Sequence, residues 1–324
     1  VAKPSASDRL GPLVERVRAQ AATFVACDGA ARSSDPEAIH EMRVASRRLR
    51  SCLQTFRAAF LDEPTGALVV DLTWIGGVLG AARDEDVIAR RIARDLGEIG
   101  GSPLLDVGVT STSFDDIASD PERALADALV SPRYEGLLST LAMFAITPPL
   151  RPGNRGKKWM VRRCIKEIGR AVSAEKRART LTGSEREAAL HEVRKAAKRA
   201  RYAAETLAPV YGKRARRIAS AFAGIQGILG EHHDASVTRA VVLAQLEAAR
   251  HAMPDHDVPE HDVPERDLPE GESEEQPLRA AESALSDLAA VLRLEADRVL
   301  AADAAFVREW QTVIEMLARR WPTG

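Results

Sequence analysis

Residues 40–50 read HEMRVASRRLR and residues 191–201 read HEVRKAAKRAR; the two stretches align without a gap at an offset of 151. Each opens on His-Glu and continues with basic residues at three- and four-residue spacing, the period of one helix face. With His40 at zero and about 100° per residue, Arg43, Arg47 and Arg50 fall at about −60°, −20° and −80°. Met42, Ala45, Leu49, Cys52, Leu53, Phe56 and Phe60 fall on the opposite side, at about 120° to 220°. The second copy sets His191, Arg194, Lys195, Lys198, Arg201 and Tyr202 against Val193, Ala196, Ala200, Ala203, Ala204 and Leu207. Each stretch therefore predicts an amphipathic helix with an apolar face for a core and a basic face opposite it.

A second pair of motifs follows in the same order. Residues 79–87 (LGAARDEDV) match 229–237 (LGEHHDASV) at an offset of 150. Two ordered motifs at nearly one offset imply an internal duplication, with one helical half at 1–150 and the other at 151–324. The rest of the chain reads helical almost throughout, rich in Ala, Leu, Arg and Glu with few β-branched runs. The pattern predicts helices over 9–27, 36–61, 67–81, 84–97, 121–146 with a break at Ser131-Pro132, 157–178, 185–208, 213–229, 234–252 and 278–318. Asp35-Pro36 supplies a cap and first-turn proline, and Ser184 to Glu187 reads as a capping box. Residues 100–118 and 147–156 read as loops.

The overall charge conceals this pattern. The 324 residues carry 46 Lys+Arg and 47 Asp+Glu, for a net charge of −1. Residues 251–277 hold ten acids and one base around a thrice-repeated pentapeptide beginning at His256. Proline every five residues forbids a helix there, so an acidic, disordered surface insert is expected. Without its −9 the remainder stands at +8. The insert's histidines, His251, His256 and His261, have no spacing that matches a defined coordination geometry. An acidic strap tied to a basic body could also compete for the basic site.

An ordinary solvated helix face interleaves signs, because like charges at i,i+4 repel. Four bases against Glu41 in one copy, and five against Glu192 in the other, with both acids off the stripe, call for a polyanionic partner. Arginine suits phosphate, whose oxygens accept the guanidinium fork. The helix before the second copy adds Arg162 and Lys166. The candidate anion-binding residues are His40, Arg43, Arg47, Arg48, Arg50, Arg162, Lys166, His191, Arg194, Lys195, Lys198, Arg199 and Arg201. Single-strand nucleic-acid binders interleave aromatic platforms with bases, and this stripe offers only Tyr202, so nucleic acid is disfavoured. A flexible chain of phosphates fits better.

The His-x-x-Arg-x-x-x-Arg-Arg-Leu-Arg stretch, its copy, and the Leu-Gly-x-x-Arg-Asp-x-Asp-Val motif resemble the CHAD family, the conserved-histidine α-helical domains. The resemblance implies an all-α fold of two four-helix-bundle halves related by a pseudo-two-fold axis, with a basic channel or groove between them. It further implies binding of inorganic polyphosphate, with polyphosphate granules or polyphosphate-metabolising enzymes as associated partners. By position it places Lys213, Arg214 and Arg217 on a second basic helix, which the first half lacks around Glu63–Val70. The second Leu-Gly motif departs from the pattern, with His233 in place of the arginine and Ser236 in place of the second aspartate. No Glu-x-Glu-x-Lys motif of a triphosphate-tunnel neighbour occurs, so no enzymatic activity is carried over.

The remaining expectations are negative. His191 with His232-His233-Asp234 superficially resembles an HD-type metal-dependent phosphohydrolase. Yet His233-Asp234 aligns with Arg83-Asp84, and arginine is no metal ligand, so neither enzyme activity, metal nor cofactor is expected. A scaffold for another protein remains a further alternative. Cys27, Cys52 and Cys164 read as core residues, and Trp74, Trp159, Trp310 and Trp321 as packing residues. The longest charge-free run, Gly136–Leu150, is too short to span a bilayer, and no signal peptide opens the sequence. A cytoplasmic location, with granule association, follows as the expectation.

Overall fold

The computed structural model describes residues 5–100, 121–252 and 275–320, and side chains within these except at 82–87, 121–122, 252, 275–282 and 319–320. Residues 253–274, and with them most of the acidic insert, lie outside the described residues, as do most of loop 100–118, the side chains of Arg83 and Asp84, and Trp321.

The chain is all-α, and no strand occurs among the described residues. The helices are α1 (Ala6–Arg9), α2 (Gly11–Ala26), α3 (Asp28–Arg32), α4 (Pro36–Thr55), α5 (Asp62–Glu98), α6 (Pro121–Leu129), α7 (Pro132–Ile146), α8 (Lys157–Ala178), α9 (Gly183–Ala252) and α10 (Glu275–Arg320). Local chemistry sets several boundaries. Asp35 caps α4 by accepting from the Glu37 amide at 2.9 Å, with Pro36 in the first turn. The break expected at Ser131-Pro132 is present, with Ser131 capping α7 by accepting from the Tyr134 amide at 3.3 Å. Gly212, at φ 53°, divides α9 into two arms, a backbone conformation open to glycine at little cost.

Other boundaries differ from the sequence expectation. The basic-stripe helix stops at Thr55 and passes into a single 3-10 turn, Arg57–Ala59, rather than running to 61. Helix α5 does not break near residue 82, and the second arm of α9 does not break near residue 230. Helix α9 begins at Gly183, two residues before the expected start, so Ser184 lies inside it rather than capping it. Helix α10 begins at Glu275 instead of 278. The loop at 147–156 is tied down: the Leu61 amide donates to the Pro149 carbonyl at 2.9 Å and the Arg151 amide to the Ala59 carbonyl at 2.8 Å.

The chain forms two compact units. Unit 1 comprises Val1–Asp84, Ser119–Gly230 and Ala304–Gly324; unit 2 comprises Glu85–Ala118 and Glu231–Asp303. These units are spatial, whereas the halves at 1–150 and 151–324 are defined by sequence similarity.

In unit 1, α2 packs on α4 and α7, and α4 touches α8. Phe24, Phe56, Phe60, Tyr134, Phe144, Phe222 and Trp310 are buried in one apolar cluster with Met42, Leu49 and Leu53 of α4. The Trp310 ring meets Phe222 edge-on at 6.4 Å between centroids, and Phe56 lies 6.0 Å from Trp159. All three cysteines are buried and free. Burial pushes the Cys52 and Cys164 thiols up to about 12, so both stay protonated as small core groups.

Pro64 to Ala82 carries one charge, Asp71, and residues Asp62–Ala81 are long and apolar enough to cross a membrane by length and composition. Counting charge-free runs misses this stretch because Asp71 interrupts it. Leu68, Leu72, Ile75 and Leu79 of this stretch are buried in the unit 1 core, and Asp71 pairs with Arg133 at 2.9 Å.

Unit 2 has a smaller core of Leu96, Val242, Leu246, Leu288 and Val291. Beside it Arg91 is clamped by Glu295 and Glu231, each at 2.6 Å, while Arg298 reaches Asp95 at 2.7 Å and Glu98 at 2.8 Å. Burial holds the Glu295 carboxyl above its usual range against the opposing hydrogen bond from Arg91.

Candidate functional site

The basic faces of α4 and of the first arm of α9 are partly buried. Arg43, Arg47, Arg50, Arg194 and Lys198 are all half-buried in unit 1. Arg47 Nε donates to the Tyr202 hydroxyl at 3.1 Å, which ties the two helices together. The Lys198 ammonium is pushed down to about 8, first by burial and then by the charges of Arg47, Arg194, Arg50 and Arg43. Burial, with Arg47 close by, also lowers Arg50. Arg194 Nε is buried and has no hydrogen-bond acceptor in the protein. A cluster of five cations that desolvates and repels itself is unfavourable when empty, and an anion that accepts its hydrogen bonds removes that penalty.

Arginines of the cluster lie against glycines of α5 and of the second arm of α9. A Cβ on Gly80 of α5 would lie 3.8 Å from Arg43 Nη2, and a Cβ on Gly230 would lie 3.4 Å from Arg194 Nη2. A Cβ on Gly76 would lie 3.9 Å from Arg50 Nη1, and at the matching place Gln226 Oε1 accepts from Arg201 Nη1 at 3.3 Å. The contacts 43 with 80 and 50 with 76 thus have counterparts at 194 with 230 and 201 with 226. The offsets are 151 and 150, those of the sequence motifs. An arginine thus packs at van der Waals distance over the glycine of each Leu-Gly pair.

The other expected residues are placed differently. Arg201 is engaged by Glu205 at 2.8 Å and lies 5.6 Å from the Tyr202 ring centroid, and Glu205 also pairs with Arg16 of α2. Glu192, expected to stand apart from the stripe, pairs with Lys195 one turn on. Ser51, on the basic side of the wheel, is buried, which again marks that side as packed. Arg48 is half-buried with its Nε unpaired, and His40 is half-buried near the start of α4. His191, Lys166, Arg199, Lys213 and Arg217 are exposed. Arg162 and Arg214 line a separate cavity between α8 and α9. In unit 2, His232 is buried with its Nε2 3.4 Å from Asp303 Oδ1. No group of three His, Cys, Asp or Glu side chains is placed to hold a metal among the described residues.

Residues 15–243 match the CHAD domain family. The chain belongs to that family. Two uncharacterized proteins of Mycobacterium tuberculosis, from strains CDC 1551 / Oshkosh and H37Rv, are each 29% identical over 250 residues, covering 75% of this chain and 47% of theirs. The chain thus spans about half the length of these curated relatives. Among solved structures, PptA from Streptomyces chartreusis superposes with a TM-score of 0.67 at 19% identity, covering 95% of this chain and all of that one. The crystal structure of the CHAD domain from the plant Ricinus communis gives a TM-score of 0.52 at 27% identity over 92% of this chain and 89% of that one.

In this CHAD domain the residues that the wheel did not reveal are the supports: Arg16, Gly76, Gly80, Glu205, Gln226 and Gly230. Glu205 carried a readable signal, an acid four residues after Arg201 on a basic helix. Arg16 and Gln226 carried none, because their partners are set by tertiary packing.

Proposed function

We propose that this CHAD domain binds inorganic polyphosphate through the cationic cluster on α4 and the first arm of α9. Lys198 is the observation that carries the reading: half-buried and held among Arg43, Arg47, Arg50 and Arg194, its ammonium is pushed down to about 8. A linear polyanion spans such a cluster with one oxygen set per cation and needs no apolar or base-reading surface. Tyr202, the one aromatic residue of the stripe, is 3% exposed and bonded to Arg47, so it gives no face on which a base stacks. The domain acts in this reading as a binder rather than a catalyst. It recruits the protein to polyphosphate granules or sets the activity of enzymes that handle the polymer.

Competition tests the choice of polyanion. With fluorescently labelled duplex DNA on the protein, long-chain polyphosphate is expected to displace it at equal phosphate concentration. DNA that resists displacement, or itself displaces labelled polyphosphate, contradicts the assignment.

A further inference from the structure

The cavity between α8 and α9 has a composition that polyphosphate does not explain. Its volume is about 400 Å³, within the range of about 300–1,000 Å³ of small-molecule sites. Val161, Ile165, Leu207 and Ile218 give it aliphatic walls, and Lys158, Arg162 and Arg214 supply its charge. None of Arg43, Arg47, Arg50, Arg194 and Lys198 lines it, and neither does any carboxylate. The apolar side chains are of no use to a chain of phosphates, which has no carbon to cover them. Lys158, Arg162, Tyr211 and Arg214 are exposed, so the cavity opens to solvent with its cations at the mouth.

We propose that this cavity binds an amphipathic anion, an aliphatic chain carrying a carboxylate or phosphate headgroup. The chain lies on Val161, Ile165, Leu207 and Ile218, where it displaces water from apolar surface. The headgroup meets Lys158, Arg162 and Arg214 at the polar side, with the Tyr211 hydroxyl as a further donor. The aliphatic lining favours an alkyl chain over a nucleobase: Tyr211 is the only aromatic residue in it, and no amide or carboxylate is present to pair with a base edge. Arg162 and Arg214 were also expected to bind the polyanion, but the cavity shares no residue with the five-cation cluster on which the polyphosphate reading rests.

Calorimetric titration of the full chain with decyl phosphate, decanoate and neutral decyl maltoside, each kept monomeric, tests it. Saturable binding of one or both anionic probes is expected, at least about tenfold tighter than the neutral one. Their relative affinity tells phosphate from carboxylate as the preferred headgroup. Ile165→Trp, which fills the cavity from a half-exposed position, should weaken the anionic probes at least about tenfold and leave polyphosphate affinity unchanged. Lys158→Glu, at an exposed position, gives a second reading free of packing effects and should weaken only the charged probes. Absence of saturable binding by both anionic probes overturns the proposal, as does equal affinity for the neutral probe. So does displacement of decyl phosphate by polyphosphate, which would make the cavity part of the polyphosphate site.

Discussion

Arg47→Glu and Lys198→Glu are each expected to weaken polyphosphate binding about 100-fold at low salt, whereas Arg90→Glu changes it by less than about threefold. All three substitutions alter the net charge equally, so the comparison separates a built site from diffuse attraction. Arg47 and Lys198 are half-buried and face three further arginines, while Arg90 is exposed in unit 2. A charge-assisted hydrogen bond removed from a partly desolvated place costs about 1.5–3 kcal/mol, and the introduced carboxylate repels the ligand in addition. Equal losses in all three variants, measured by titration under one salt condition, would show that only net charge matters. Arg47→Glu also gives up the hydrogen bond to Tyr202. Lys198→Glu, which has no such bond to lose, guards against reading a helix displacement as a lost ligand contact.

The second large effect concerns protons. Lys198 titrates near 8 in the empty protein, below its ordinary value of 10.5. Bound phosphate favours the charged ammonium, so binding at pH 8–9 should be accompanied by proton uptake. Affinity should then fall as pH rises above 8, by at most about tenfold per pH unit for one linked proton. The arginines around it stay charged throughout this range, which leaves Lys198 as the titrating member of the cluster. The same depression acts on stability. A lysine whose folded pKa lies below its unfolded one destabilises the fold fully below pH 8, and the penalty fades as pH climbs toward 10.5. The amount is on the order of 3 kcal/mol before discounting, and less after solvent screening of a half-exposed side chain. Lys198→Met should therefore raise the melting temperature of the ligand-free protein at pH 7, lose that gain by pH 10, and abolish the proton uptake. Titration at pH 8.5 in two buffers of different ionisation enthalpy measures the uptake directly. A heat of binding independent of the buffer would remove Lys198 from the site.

The sequence foretold some of this well, and its failures have physical causes. The stripes at 40–50 and 191–201 were legible because a helix with one apolar and one basic face leaves a strong period in the chain. The cap at Asp35-Pro36 and the break at Ser131-Pro132 were legible because those residues act on their own backbone. The helix ends expected near 82 and 230 were not real. Gly80 and Gly230 lie inside continuous helices, each packed at van der Waals distance against an arginine from another part of the chain. The pairing of Glu192 with Lys195, by contrast, was available at three-residue spacing and was outweighed by the wheel angle of Glu192. The ties of Arg201 to Gln226 and of Glu205 to Arg16 depend on tertiary packing, which no period records. So does the cavity between α8 and α9: its lining comes from faces that read, one helix at a time, as ordinary core and ordinary surface.

The most direct measurement of the central claim is calorimetric titration of the whole chain with polyphosphates of defined length at two salt concentrations, with orthophosphate as the control. Affinity should rise with chain length until the cluster is spanned, fall steeply with added salt as counterions are released, and be negligible for orthophosphate. Long chains that fail to bind, or bind no better than orthophosphate, would contradict it.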